Sequence, residues 1–190
     1  MEIKSLSFPE DKKAIPRVDR LLLYAIIKST LPHKCVELGF GVSTRTILEA
    51  LPEDSILISY DLVDMENPIN DKRFIFKKKD QIEYEEDNVD FVFIDASHDF
   101  EKNIQTFVKI DKSLNSGGII VVHDTGTVKE DIKIGDGYFL DGEYIHRPGE
   151  RKFVNWIKEN YPDYQIIHFH SLKEYRPGIT IIQKYQRLKI

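Results

Sequence analysis

The chain has 190 residues, 41% of them hydrophobic and 31% charged, with a formal net charge of −5 and one cysteine, Cys35. That length is typical of one domain burying roughly two-thirds of its unfolded surface, and a lone cysteine excludes a disulfide framework and a paired-cysteine metal site. Lys77-Lys78-Lys79 is offset by the acidic run Glu83 to Asp90, and no apolar stretch approaches a membrane span or a signal-peptide core, so a cytoplasmic protein without nucleic-acid or membrane partners is expected.

In chain order, Pro16 stands at a plausible first helical turn, and Leu21, Leu22, Ala25 and Ile26 have helical spacing within Val18 to Thr30, ahead of Pro32. A strand is predicted over Lys34 to Leu38, then a helix from about Ser43 to Leu51 with Ser43 or Thr44 as cap. Strands follow at Ser55 to Tyr60, more weakly at Arg73 to Lys77, and at Val89 to Ile94, whose almost unbroken apolar run suits a strand covered on both faces. A helix over Asp99 to Leu114 turns Ile104, Phe107, Val108 and Leu114 inward, is broken by Asn115-Ser116-Gly117-Gly118, and leads to a strand at Ile119 to Val122. A helix over Arg151 to Asn160 precedes strands at Tyr164 to Phe169 and Ile179 to Lys184. Such alternation implies a parallel, Rossmann-like doubly wound α/β sheet in a single domain, residues 1–190, with a helical N-terminal segment over 1–32. Two consecutive strands without a helix between them imply that the last is antiparallel. Residues 125–150 form a Gly/Asp-rich insertion holding a hairpin over Tyr138 to Ile145 on an Asp-Gly turn, either a substrate lid or a surface hairpin.

The first strand runs directly into Glu37-Leu38-Gly39-Phe40-Gly41-Val42-Ser43, and the second ends in Asp61, twenty residues beyond Gly41. Glycines there allow a tight turn and close approach of backbone to ligand, while an acid at the next strand tip suits ribose hydroxyls. The dinucleotide fingerprint would place a third glycine at Thr44, and a carboxylate at Glu37 would repel a pyrophosphate, whereas it suits a ligand with a cationic end. The fourth and fifth strands end in Asp95-Ala96-Ser97-His98 and His123-Asp124-Thr125. Tips of adjacent parallel strands converge, so these ionisable groups share one crevice. Cys35, on a central strand, reads as a buried structural thiol.

The E-x-G-x-G run with its later acid resembles motif I and the ribose acid of class I S-adenosylmethionine-dependent methyltransferases. The I-D-x-x-H segment, the Gly-Gly and the apolar strand ending His-Asp resemble the small O-methyltransferases related to catechol, macrolide-sugar and cephamycin-pathway enzymes, a likeness extending to Arg147-Pro148-Gly149 and the terminal strand. The resemblance implies strand order 3-2-1-4-5-7-6 and S-adenosylmethionine held by Glu37, Gly39, Phe40, Gly41, Ser43, Asp61, Asp80 (near the adenine) and Asp95. It implies His98 as the base that takes the substrate proton. Asp95 and Asp124 are implied as Mg²⁺ ligands in metal-dependent members; here the pair orients the acceptor directly or through Mg²⁺ or another divalent cation. His123 is a base, a ligand of a different metal, or a structural hydrogen-bonder. A hydroxyl on a small molecule is the implied acceptor. With little N-terminal material for a helical cap, the pocket is open or completed by a second copy in a homodimer. The competing readings are a nicotinamide-dependent oxidoreductase and a non-catalytic cofactor-binding module.

Overall fold

A computed structural model describes residues 3–4, 15–64, 69–126, 133–134, 137–140, 143–146, 149–170 and 178–185, with 133–146 followed as backbone only. Helix α1 (Arg17–Thr30) leads into β1 (Lys34–Leu38), α2 (Val42–Ala50), β2 (Ile56–Asp61) and β3 (Phe74–Lys78). A 3₁₀ turn (Gln81–Glu83) precedes β4 (Val89–Ile94), α3 (Phe100–Ser113) and β5 (Leu114–Val122). Three short strands, β6 (Lys133–Ile134), β7 (Gly137–Leu140) and β8 (Glu143–His146), precede α4 (Gly149–Asn160), β9 (Tyr164–His170) and β10 (Gly178–Lys184). The main sheet has the order β3-β2-β1-β4-β5-β10-β9, and β10 runs antiparallel to both neighbours. This is the predicted topology.

Alternation along each strand divides the core in two. Val36, Leu38, Ile58, Val92, Ile94, Ile120 and Val122 pack beneath Phe107 and Ile110 of α3 and Phe153 of α4. Cys35, Leu57, Phe91, Phe93 and Val121 face Leu23 and Ile27 of α1 and Ile47 of α2. Cys35 is fully buried, and burial pushes its thiol far above the ordinary range, as a structural cysteine requires.

Three expectations need correction. On α1 the buried face is Asp19, Arg20, Leu23, Tyr24, Ile26 and Ile27, whereas Leu21 is exposed. Apolar spacing missed this face because two of its buried members are charged. Asn115-Ser116-Gly117-Gly118 is not a break between helix and strand: α3 ends at Ser113, and the four residues lie inside β5, whose register with β4 shifts between Val89 and Phe91. On α3 it is Ile110, not Val108, that is buried.

The predicted hairpin exists as β7 paired antiparallel with β8, extended by β6 into a separate three-stranded sheet. Its Asp-Gly turn, Arg147-Pro148 and the loop joining β9 to β10 lie outside the described residues. Among the described residues no helix is long and apolar enough to cross a membrane.

Candidate active site

The turn after β1 is built from hydrogen bonds that begin at Glu37. Its side chain points to the α1/α2 side of the sheet and is wholly inaccessible. Ser43 and Thr44, in the first turn of α2, donate their hydroxyls to its two oxygens at 2.7 Å each, and Ser59 donates at 2.8 Å. Ser59 is opposite Glu37 in the β1–β2 register, so strand pairing itself delivers the third hydroxyl. Thr44 Oγ1 also accepts from the Gly41 N–H at 3.1 Å, capping α2 from within, with Gly41 rather than Ser43 or Thr44 at the cap position. Burial raises the Glu37 carboxyl to about 7, and the three hydroxyls restrain a larger rise. Glu37 and Ser43 therefore hold the turn from beneath. Sequence pattern missed this because it records a carboxylate near a turn but not which way the strand's pleat points it.

Gly39 and Gly41 serve different ends. Gly39 has a φ of +99°, and a Cβ there would lie 2.3 Å from the Asp95 carbonyl oxygen, so the β1 turn presses against the end of β4. Gly41 is extended, with φ −174°, and its nearest neighbour to a Cβ would be Ser43 Oγ at 4.0 Å. Neither backbone nor packing requires glycine there; the residue leaves open space above the turn. Bordering that space, Asp61 accepts from the Phe40 N–H at 2.8 Å and the Val63 N–H at 2.9 Å. Each carboxylate oxygen can accept more than one hydrogen bond, so acceptor capacity for two hydroxyls remains. The Phe40 ring packs on Phe74 and Phe76 of β3.

Asp80 follows β3, as expected, and its carboxylate has two partners. One oxygen accepts from the Ile82 N–H to cap the 3₁₀ turn, and the other pairs with Lys102 of α3 at 2.7 Å. Burial works to raise its pKa, but Lys102 and the cap bond outweigh it and hold the carboxyl below the usual range. Its carboxylate is thus engaged in joining the 3₁₀ turn to α3. The neighbouring Gln81, which sequence reasoning missed, is buried and accepts from the Ser97 N–H at 3.0 Å while donating to Asn103 and Thr106. It fixes the loop that carries His98.

Asp95, His98, His123 and Asp124 do converge. Ligand-capable atoms of Asp95, His123 and Asp124 lie within 4.8 Å of one another, as do those of His98, Asp124 and Glu150. Glu150 was not anticipated; it is buried at the start of α4 and hydrogen-bonds His98 Nδ1. Asp124 has a φ of +59°, uncommon for a residue other than glycine. Thr125 anchors that bend by donating to the Gly178 carbonyl and accepting from Thr180.

His123 is buried between carboxylates. Its Nε2 is 3.1 Å from Asp19 of α1, and its Nδ1 is 3.1 Å from Asp95 and 3.4 Å from Asp124. Burial disfavours the charged imidazole, yet Asp95 and Asp124, with the bond to Asp19, carry its pKa well above 6.5. An imidazole bonded to carboxylates through both nitrogens carries both protons and has no lone pair for a metal or for base chemistry. In this arrangement His123 meets the Asp95–Asp124 pair directly, as their hydrogen-bonding and ion-pairing neighbour. Of the three readings of His123, the structural hydrogen-bonder is the one that its surroundings match.

Residues 36–125 match a family model described as a methyltransferase domain. The match runs from within β1 to just beyond β5 and takes in the Gly39–Gly41 turn. No curated protein matches it by sequence. Among solved structures it is similar to an O-methyltransferase from Bacillus cereus in complex with SAH, at 16% identity and a TM-score of 0.66, covering 96% of this chain and 95% of that one. It is also similar to the O-methyltransferase TomG from Streptomyces achromogenes, involved in tomaymycin synthesis and in complex with SAM, at 17% identity and a TM-score of 0.67, covering 97% and 91%. Cofactor-bound Rv0187 from MTB is similar at 14% identity and a TM-score of 0.69, covering 97% and 86%. Within the matched segment, the position where a dinucleotide fingerprint has its third glycine is Thr44, buried and hydrogen-bonded to Gly41 and Glu37.

Proposed function

We propose that this chain is a methyltransferase that binds S-adenosylmethionine over the Gly39–Gly41 turn and methylates a hydroxyl group of a small molecule. The observation that carries the proposal is the open space above Gly41, bordered by Asp61: a glycine that neither backbone nor packing demands, beside a carboxylate with unused acceptor capacity. Asp61 receives the ribose hydroxyls, Gly41 admits the adenosyl group, and Glu37 and Ser43 keep the turn in shape. Both relatives named as O-methyltransferases were crystallised with SAM or SAH.

S-adenosylmethionine, when bound, supplies a methyl group already activated on a positively charged sulfur. The chain's own task is to align an acceptor oxygen and remove its proton, contributions of several kcal/mol and about 10²–10⁴-fold in rate respectively. His98 takes that proton: it follows the β4 tip that packs on the Gly39 turn, and imidazole is the side-chain base suited to proton transfer at neutrality. Asp95 and Asp124, held by His123, supply hydrogen-bond acceptors that orient the hydroxyl. This reading routes no step through a divalent cation; Asp95 and Asp124 meet His123 directly.

Titration calorimetry with S-adenosylhomocysteine tests the binding step. Nanomolar-to-micromolar affinity that falls more than tenfold in Asp61→Ala is expected, as about 1.4 kcal/mol is one decade. Unchanged affinity in that variant would remove the cofactor assignment.

A further inference from the structure

The catalytic reading leaves the buried acid Glu150 unused. Glu150 is the second residue of α4, yet its side chain is almost fully enclosed and its carboxyl meets His98 Nδ1 across a separation of 52 residues. Burial raises the Glu150 pKa, while His98 works in the opposite direction. A helix-capping acid would face solvent at the helix start; this one is directed into the crevice.

The fit of α4 against the His98 segment is close. A Cβ on Gly149 would lie 2.0 Å from the His98 carbonyl oxygen, so only glycine lets the helix start reach that strand tip. Gly149 and Gln81 thus seat the His98 segment from opposite ends: one packs on its backbone, and the other hydrogen-bonds the preceding Ser97 N–H. Phe153, one turn along α4, is buried against Phe107 of α3, tying the helix to the core.

We propose that Glu150 is the positioning residue of the site, accepting the Nδ1 proton of His98 and so presenting Nε2 as the nitrogen that receives the acceptor's proton. An imidazole is base or donor at a given nitrogen according to the hydrogen bond at the other, and a buried carboxylate settles that choice. Asp124, after β5, is the other acid near His98. It shares the crevice with His98, and Glu150 is bonded to the ring at Nδ1. The proton balance is simple: the acceptor O–H gives its proton to Nε2, Nδ1 keeps its own, and the imidazolium formed is stabilised by Glu150. This inference rests on His98 being the base, but its test does not use turnover.

Nitrogen-15 NMR of histidine-labelled protein above the titration range of the ring reads the tautomer directly, with His98→Gln identifying the resonances. The wild type and Glu150→Gln, which keeps an oxygen acceptor, are expected to show a protonated Nδ1 and a bare Nε2. Glu150→Met, of similar volume but without an acceptor, is expected to shift most of the population to the Nε2–H form. S-adenosylhomocysteine affinity within twofold of wild type establishes that each variant is folded. An unchanged tautomer in Glu150→Met overturns the proposal, as does an Nε2–H ring in the wild type. Should Glu150→Met not fold, the wild-type tautomer and its retention in Glu150→Gln still decide. If the tautomers behave as expected but His98→Gln transfers methyl groups at the wild-type rate, it is the base assignment that fails.

Discussion

Replacing each glycine of the β1 turn by alanine should give opposite results, although the two lie only two residues apart. At Gly39 the backbone has φ +99°, and the new Cβ would sit 2.3 Å from the Asp95 carbonyl oxygen. Left-handed strain alone costs about 1–2 kcal/mol, and displacing β4 backbone adds at least as much. A total of about 3 kcal/mol or more lowers the Tm by about 6–12 °C for a domain of this size. At Gly41 the extended backbone accepts alanine, and the methyl meets only Ser43 Oγ at 4.0 Å. Stability should hold or rise by about 0.4–1 kcal/mol through the unfolded state. The methyl instead intrudes on the ligand's space at a cost of about 1–3 kcal/mol, weakening S-adenosylhomocysteine about fivefold to about a hundredfold. Thermal denaturation and calorimetry on the two variants read both quantities. A Gly41→Ala protein that is as stable as wild type and binds as tightly would refute the placement of the cofactor.

Glu37→Gln should remove a pH dependence of stability. Because the native carboxyl titrates near 7 against an ordinary 4.5, the native state retains a proton that the unfolded chain releases. Wild-type stability therefore falls as pH rises through that window, by about 3 kcal/mol at most; urea denaturation at pH 5 and pH 8 should show the fall in wild type only, and parallel behaviour of the two proteins contradicts it. Calorimetry with MgCl₂ should give no binding heat, and treatment with EDTA should leave methyl transfer from labelled S-adenosylmethionine intact; saturable Mg²⁺ binding would overturn the account of His123. His98→Gln should lower transfer to any accepted hydroxyl substrate by about 10²–10⁴-fold while leaving S-adenosylhomocysteine affinity within twofold; retention of wild-type turnover refutes the base assignment.

Much of the architecture was legible in the chain because it depends on local pattern. Unbroken apolar runs such as Val89–Ile94, glycine spacing after β1 and the missing helix between the last two strands each have a short-range physical cause. The approximate positions of Asp61, Asp95, His98 and Asp124 followed from the same logic, since carboxyl ends of parallel strands must lie along one edge.

The direction and company of each side chain were another matter. Glu37 reads as a ligand contact until the β1–β2 register brings Ser59 opposite it and closes it beneath α2. Asp80 reads as a cofactor acid until Lys102 of α3 meets it. Asp19 and Glu150, on helices at the two ends of the chain, carry no motif, yet one fixes His123 and the other His98. Sequence determined which strand tips meet, because backbone hydrogen bonding and periodicity act over a few residues. Only the packed tertiary structure decided which acids each imidazole meets, Asp19 and Asp95 for His123 and Glu150 for His98, because charge and solvation are set by neighbours that the chain brings in from a distance.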